Sequence, residues 1–452
     1  MARHSARLSI LILAIAATAA AQERPALIDA AKNADRAQLR ALIQKKADVN
    51  AAAADGTTAL HWAAYRDDAE SVDLLVRAGA NVNAANDLGA TPLWNASINA
   101  GAAIVRTLLE AGANPNLALL AGETPLMVAA RSGKADVVAL LLAKGANANA
   151  RASRQQTALM WAASQRHPDV VEVLVTHGAD VHARSSEWQE MMAVPPHGLP
   201  QYNKIIPHGR DTALLFAARA GDLESAKLLV SAGANVNDAD AWGVSVTTMA
   251  AHAGFTEMVE WLLDRGADAS AAAAGFGALH GAIMRRDTRM VSALLAHGAD
   301  PNAPLTTWTP TRRSSRDFNF APELVGATPY WLAARFNEPD VMRLLLKHGA
   351  NATFVHHANY HNEEPVEPRT QITTAVMAAT GMGGGIAWVQ PDRTRREALM
   401  LESVTLAADQ GVDLNARNTD GRTALDAARA LKFESVAAFL SERGARAGTA
   451  GK

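Results

Sequence analysis

The sequence predicts an all-α solenoid of about eleven helix-turn-helix repeats, and three regularities lead to that prediction. Thr58, Thr91, Thr124 and Thr157 follow one another at intervals of 33 residues, and each opens a similar phrase such as Thr-Pro-Leu. Paired alanines follow many of these phrases, and an apolar stretch that ends at a glycine comes next. A fixed period of this length is typical of a solenoid, in which every repeat packs only against its neighbours.

Each period is predicted to form two short helices. The hydroxyl of Thr91 can cap the first helix, and Pro92 then occupies the first helical position, where a missing N–H does no harm. The paired alanines let neighbouring first helices approach closely. The apolar stretch 137–142 predicts a buried second helix, which stops at Gly145, where glycine suits a left-handed C-cap.

The phrase recurs at unequal steps through the rest of the chain. A degenerate first unit begins near Pro25, so about eleven units extend over 25–447, and residues 448–452 form a tail. The later phrases open at Thr212, Ser245, Gly277, Thr328, Thr374 and Thr423.

Together these residues resemble the ankyrin repeat, in the Thr-Pro-Leu-His phrase, the paired alanines and the Leu-Leu-x-x-Gly-Ala-Asp-x-Asn ending. The resemblance covers nearly the whole chain beyond its N-terminal segment, and it implies a curved stack of helix pairs with hairpin-like fingers on one side. It also implies that His61 and His280 form hydrogen bonds between neighbouring units. The first and last units depart from the pattern at Lys46 and Asp426, as expected of units that cap a stack.

The N-terminal segment 1–21 has the order of a secretory signal peptide: basic residues, the apolar run 8–17, and small residues that end at Ala21. We expect cleavage after Ala21 and a periplasmic or secreted protein; the alternative is an uncleaved N-terminal anchor. The chain contains no cysteine, so disulfides cannot contribute to its stability. A net charge of −2 gives no electrostatic pattern for nucleic acid, and no later segment predicts a membrane span.

Four steps are longer than 33 residues, and the excess marks four inserts of 22, 18, 13 and 16 residues. The first three fall between a glycine stop and the next threonine, whereas the fourth separates the two helices of unit ten. The sequence therefore predicts regular repeats over 22–184 and decorated repeats over 185–447. Inserts clustered on one face often mark the binding face of a solenoid. We number them insert 1 (185–209), insert 2 (304–326), insert 3 (353–369) and insert 4 (381–396).

The inserts concentrate aromatic and arginine side chains, which are the types most often found as anchors at protein interfaces. The alternative is that the aromatic rings fold back onto the solenoid and that the arginines pair with Glu363, Glu364 and Glu367. The predicted anchors are Trp188, Tyr202, Trp308, Arg312, Arg313, Phe318, Phe320, Tyr360 and Trp388.

A second candidate surface lies just after the paired alanines, at the end of each first helix. The resemblance implies that these positions line the concave face, where stacking would align them into a mildly basic row suited to an acidic or extended peptide. The alternative is an ordinary solvated surface. We call this row the helix-end ladder; its members are Tyr65, Arg66, Arg131, Arg219, His252, Arg285 and Arg335.

Two further clusters invite a chemical interpretation. His356, His357 and His361 lie close to Glu363, but the segment 354–369 reads as a loop and lacks the glutamate of a His-Glu-x-x-His zinc motif, which favours a solvated cluster. The glycine-rich run 381–385 lacks the lysine of a phosphate loop and is expected to be a flexible link.

The sequence as a whole predicts an exported, non-enzymatic scaffold without cofactor, which binds another protein along the concave face and through the inserts. The alternative is a small-molecule, metal-binding or enzymatic pocket formed by the C-terminal inserts, with the histidine cluster as ligands. A third possibility is a purely structural protein without a defined site. Fold-level resemblance supports a binding role as a class and does not name the partner.

Overall fold

The computed structural model describes residues 25–99, 101–192, 203–309, 320–361, 366–392 and 395–448. The segment 1–21, for which a signal peptide is predicted, lies outside these residues. The described residues form twenty-two α-helices and four β-strands. The chain divides into two compact units, Met1–Leu120 and Ala121–Lys452. Among the helices of the described residues, none has the length and apolarity that a membrane span requires.

The first unit contains three helix pairs in two layers. The first helices of the pairs pack side by side, and the second helices form a parallel row behind them. Leu60, Leu75 and Leu93 are fully buried between the two layers. The helices are α1 (Ala26–Lys32), α2 (Arg36–Gln44), α3 (Ala59–Tyr65), α4 (Ala69–Arg77), α5 (Pro92–Asn99) and α6 (Ala102–Glu110).

The second unit repeats this two-layer arrangement over eight helix pairs. The first helices are α7 (Pro125–Arg131), α9 (Ala158–Ser164), α11 (Ala213–Ala220), α13 (Val246–Ala253), α15 (Ala278–Met284), α17 (Pro329–Arg335), α19 (Ala375–Ala379) and α21 (Ala424–Ala430). The second helices are α8 (Ala135–Ala143), α10 (Pro168–Thr176), α12 (Leu223–Ser231), α14 (Thr256–Asp264), α16 (Thr288–Ala296), α18 (Pro339–Lys347), α20 (Arg396–Asp409) and α22 (Glu434–Glu442).

The helix ends have the chemistry that the repeated phrases predict. The hydroxyl of Thr124 accepts a hydrogen bond from the backbone N–H of Met127 at 3.3 Å, which satisfies a donor that the helix itself leaves unpaired. Gly145 follows the second helix with φ of 85°. Lys46 occupies the corresponding place in the first repeat and keeps φ at 58°, a conformation that costs a lysine more than a glycine.

Polar side chains connect neighbouring repeats. His61 Nε2 lies 2.9 Å from the carbonyl oxygen of Ala90, and His280 Nε2 lies 3.1 Å from that of Ala303, so both predicted histidine links are present. A second link, which was not predicted from the sequence, comes from an asparagine four residues after several of the glycine stops, among them Gly79, Gly145 and Gly233. Asn149 donates to the carbonyl of Gly178 at 3.0 Å and accepts from the N–H of Asp180 at 2.7 Å.

Two inserts form β-hairpins, so the prediction of a wholly α-helical chain needs this addition. In insert 1, β1 (Trp188–Met192) pairs antiparallel with β2 (Lys204–His208). In insert 3, β3 (Val355–His361) pairs antiparallel with β4 (Pro368–Thr374), which runs directly into the cap of α19. The prediction of a loop is therefore wrong for 355–361 and 368–369, because these residues pair as strands, and residues 362–365 lie outside the described part of the chain.

Insert 4 is a packed strap over the first-helix layer. A Cβ atom on Gly383 would lie 2.5 Å from the Trp331 ring, and one on Gly385 would lie 2.6 Å from Leu324. Both glycines also have positive φ, 101° and 70°. The expected flexible link is therefore wrong: glycine is needed here because the backbone turns left-handed against buried side chains.

Candidate protein-interaction surfaces

The inner face of the first hairpin is fixed to the solenoid by aromatic and cationic contacts. The Trp188 ring lies between the guanidinium of Arg154, at 4.2 Å, and the ring of His208, at 5.4 Å. The ammonium group of Lys204 lies 4.3 Å from the Trp308 ring of insert 2, and burial lowers its pKa. Trp188 and Trp308, predicted as interface anchors, thus hold this hairpin in place.

The outer face of the same hairpin carries two apolar side chains in solvent. Met191 is 66% exposed, Ile205 is 57% exposed, and the two residues are direct cross-strand partners. Side chains alternate between the faces of a strand, so the inward position of Trp188 and Ile206 places Met191 and Ile205 outward. This pair was not predicted from the sequence. The adjacent apolar residues Met191-Met192 and Ile205-Ile206 within insert 1 were the available signal.

In the second unit, the first two arginines of the helix-end ladder are each paired with a carboxylate. Arg131 donates to Glu123 at 2.6 Å, and Arg219 donates to Asp211 at 3.1 Å. In both repeats the acid immediately precedes the capping threonine. Arg131 also lies over the Trp161 ring at 5.3 Å. The basic character expected of the ladder is therefore reduced here, since each arginine is paired with a carboxylate of its own repeat.

The half-buried carboxyl group of Asp240 lies near the Arg219–Asp211 pair. Asp240 accepts hydrogen bonds from the N–H groups of Trp242 and Val244, at 2.9 and 2.8 Å. Burial, together with the nearby charge of Asp211, raises the pKa of Asp240 to about 6 despite those bonds and Arg219. This part of the ladder therefore loses negative charge when the pH falls through about 6.

Further along the second unit, the ladder is covered by insert 4. The Trp388 ring meets the His252 ring edge-on at 4.9 Å and the Phe320 ring at 5.3 Å. The backbone N–H of Trp388 donates to the carbonyl of Met284 at 3.1 Å, and its ring lies 5.9 Å from the Arg285 guanidinium. Four predicted site residues, Trp388, His252, Arg285 and Phe320, thus come together in one cluster, in which Trp388 and Arg285 are half-buried.

Arg335 is the second contact between the ladder and insert 4. It donates to the carbonyl of Gly385 at 3.1 Å, whereas its Nε atom has no hydrogen-bond partner in the described part of the chain. Its repeat has Ala327 before the capping threonine, so the carboxylate that pairs with Arg131 or Arg219 is missing. Burial lowers the pKa of Arg335 to about 10, and the charge of Glu323 opposes that shift.

The remaining predicted residues are placed separately. Tyr65 is 47% exposed at the end of α3 in the first unit, and Arg66 follows it, also exposed. Tyr360 is half-buried on β3. Tyr202, Arg312, Arg313 and Phe318 lie outside the described residues, as do Glu363 and Glu364.

The three histidines of insert 3 lie on β3, with His356 on one face of the strand and His357 and His361 on the other. His356 is fully buried, with Nε2 2.9 Å from the carbonyl oxygen of Val325 and its ring 4.3 Å from Trp331. His357 points to the opposite, exposed face. Burial lowers the pKa of His356, which fits a neutral structural side chain. Within the described residues, no group of histidines and acids has the arrangement of a metal site.

Comparison with known families identifies the repeat. The family described as Ankyrin repeats (3 copies) matches residues 27–119, 113–185 and 206–305, and the family described as Ankyrin repeat matches residues 325–359. Together these matches cover more than half of the chain. The chain belongs to the ankyrin repeat family. Ankyrin repeats generally mediate protein–protein interaction, so membership assigns a protein-binding role as a class.

Two individual proteins are similar to this ankyrin repeat chain. The ZDHHC13 protein of Danio rerio, whose designation as a palmitoyltransferase is provisional, is 28% identical over 249 residues. That alignment covers 50% of this chain and 34% of the other protein, so this chain spans about a third of its relative's length. The crystal structure of the human ASB11 ankyrin repeat domain is 29% identical, with a TM-score of 0.44, and covers 53% of this chain and 96% of that domain.

Proposed function

We propose that this ankyrin repeat chain is an exported, non-enzymatic scaffold whose principal contact with a partner protein is the outer face of the insert 1 hairpin. The exposed Met191–Ile205 pair is the observation that carries the proposal. Exposing adjacent large apolar side chains to water is unfavourable, and covering them lowers the free energy. Such side chains are a common feature of protein-binding surfaces.

The hairpin is suited to binding because it is already held in one position. The stacking of Trp188 between Arg154 and His208, and of Lys204 on Trp308, fixes the strands against the solenoid. A partner that covers Met191 and Ile205 therefore has little backbone left to order. Preorganisation of this kind raises affinity by lowering the entropic cost of binding.

The uncovered part of the helix-end ladder, from α7 to α11, is proposed as the second contact region. It presents Arg131 and Arg219 together with their paired acids, beside the Trp161 ring. Such a surface favours a partner with polar groups of both signs over a strongly acidic peptide, because a uniformly acidic chain would meet Glu123 and Asp211.

The partner is proposed to be another exported protein, since the N-terminal segment 1–21 has the pattern of a cleavable signal. Mass spectrometry of the protein purified from its native host tests this point. A chain that begins at Gln22 is the expected result, and a chain that keeps residues 8–17 would contradict export by cleavage.

The binding proposal is tested by affinity capture from the exported proteome with wild-type protein and with the double variant Met191→Asp, Ile205→Asp. Both side chains are exposed, so folding should survive, and loss of two apolar anchors should reduce recovery of the partner at least about tenfold. Leu120→Asp is the matched control, because Leu120 is 83% exposed but lies in the first unit. It should capture as wild type does.

Three results would count against this proposal. Equal recovery by wild type and the double variant would remove the hairpin from the interface. Equal loss with Leu120→Asp would show that any new surface charge has the same effect. No specific capture by wild type would contradict the scaffold function itself.

A further inference from the structure

A cleft in the second unit combines cationic and apolar walls. It has a volume of about 460 Å³ and lies between insert 4, the end of α17 and the helices α20 and α21. Its size falls within the range of small-molecule sites in proteins, roughly 300–1,000 Å³. We name it the Arg335 cleft, and the lining residues that the argument uses are Arg335, Phe336, Ile386, Arg396, Met400 and Leu431.

The charged side chains that line the cleft are all positive. Arg335 and Arg396 line it, and its lining includes no aspartate or glutamate. Arg335 is half-buried, and its buried Nε–H has no hydrogen-bond partner within the described residues. Glu323 affects Arg335 electrostatically but is not part of the lining. A buried N–H donor without an acceptor costs free energy, and an anionic ligand that accepts from it would remove that cost.

The apolar walls are unusually open to solvent. Ile386 is 71% exposed and Leu431 is 47% exposed, while Phe336 and Met400 are buried behind them. Covering such side chains is favourable by the hydrophobic effect. The ligand therefore needs an apolar part as well as an anionic one.

We propose that the Arg335 cleft binds a small monocarboxylate with an apolar tail, whose carboxylate accepts from Arg335 and Arg396 and whose tail covers Ile386 and Leu431. A planar guanidinium fits a carboxylate better than other anions of this size, because two parallel N–H groups can meet its two oxygens. The adjoining cleft of about 360 Å³ contains Asp420 beside Arg422, so it lacks this preference for an anion.

The test is a saturation-transfer NMR titration of the purified full-length protein with octanoate, and with octanamide as the uncharged analogue. Octanoate should bind at least about tenfold more tightly than the amide, since a hydrogen bond to a charged group contributes that much. A second pair, N-acetyl-Ala-Ala-Leu as free acid and as amide, distinguishes a peptide C-terminus from a free carboxylic acid as the source of the ligand.

Variants place the ligand in the cleft. Arg335→Gln should weaken octanoate binding at least about tenfold, and Ile386→Glu should do the same by supplying an internal carboxylate. Ile386→Gln, of equal size but uncharged, should weaken it much less. Because Ile386 is largely exposed, both Ile386 variants should fold, whatever Arg335→Gln does to insert 4.

Equal binding of acid and amide overturns the proposal, and so does the absence of binding by both acids up to about 10 mM. Equal affinity of the Ile386→Glu and Ile386→Gln variants would place the ligand elsewhere and would also overturn it. The Met191→Asp, Ile205→Asp variant should bind octanoate as wild type does, so this inference can fail or succeed independently of the protein-binding proposal.

Discussion

Trp388→Ala is the sharpest perturbation of the contact between insert 4 and the helix-end ladder. The Trp388 ring is half-buried against His252, Phe320 and Arg285. The backbone N–H of Trp388 donates to the carbonyl of Met284. The alanine variant removes the ring and leaves the backbone hydrogen bond chemically intact. The variant therefore tests whether the Trp388 ring holds insert 4 against the first-helix layer.

The size of the effect follows from the buried area of the ring. A tryptophan buries about 150–250 Å² when covered, so a half-buried ring contributes ~2.5 kcal/mol at about 25 cal/mol per Å². The two ring pairs add ~0.5–1.5 kcal/mol each. Part of this gain is offset by the rotamer freedom that the tryptophan side chain loses on packing, up to ~1.5–2 kcal/mol. We expect the free energy of local opening to fall by about 3 kcal/mol, or about a hundredfold in the opening equilibrium.

Hydrogen exchange measured by mass spectrometry reports this opening directly, because the amide of residue 388 is itself hydrogen-bonded. Peptides that cover 386–392 should exchange about a hundredfold faster in Trp388→Ala, while α7 and α9 stay unchanged. Val389→Ala is the matched control: its side chain is 45% exposed, so exchange should stay within about twofold of wild type. Unchanged exchange in Trp388→Ala would refute the reasoning.

Three further predictions concern stability. Asn149→Ala removes two hydrogen bonds to the next repeat and should lower the free energy of unfolding in urea by about 1–2 kcal/mol. Burial lowers the pKa of His280 to about 4, so the unfolded state takes up the proton first as the pH falls. The free energy of unfolding should therefore fall by about 3 kcal/mol between pH 6.5 and 4. In His280→Gln, unfolding curves measured across this range should show a smaller dependence on pH. Burial raises the pKa of Glu338 well above its usual range, so the free energy of unfolding decreases as the pH rises above about 4.5. Glu338→Gln should melt at a higher temperature than wild type at pH 8 and at the same temperature at pH 4.

The repeat architecture could be predicted because it depends on local chemistry. Thr124 caps its helix, Gly145 adopts positive φ, and His61 reaches the next repeat, each for a reason visible within one or two repeats of sequence. These features recur at a fixed spacing, so a single interpretation accounts for many positions at once. That redundancy is why the fold could be predicted from the sequence.

The inserts could not be predicted in the same way, because their contacts join residues far apart in the chain. Trp388 meets His252 across 136 positions, and no period in the sequence relates the two. The sequence marks these side chains as unusual, and packing of the rings back onto the solenoid was one of two interpretations. The sequence does not separate Trp188 and Phe320, which pack against other parts of the protein, from Met191, which faces solvent. That distinction depends on which face of a hairpin meets the solenoid.

The residue before the capping threonine distinguishes Arg131 and Arg219 from Arg335. Where it is Glu123 or Asp211, the arginine pairs with it, and the ladder stays open to solvent. Where it is Ala327, Arg335 has no carboxylate in that position, and it donates to the carbonyl of Gly385. A guanidinium that lacks a partner in its own repeat can hold another segment, and it retains an unused N–H for a ligand. At these three arginines, the contrast between an open surface and a cationic cleft therefore goes with the presence or absence of one carboxylate before the capping threonine.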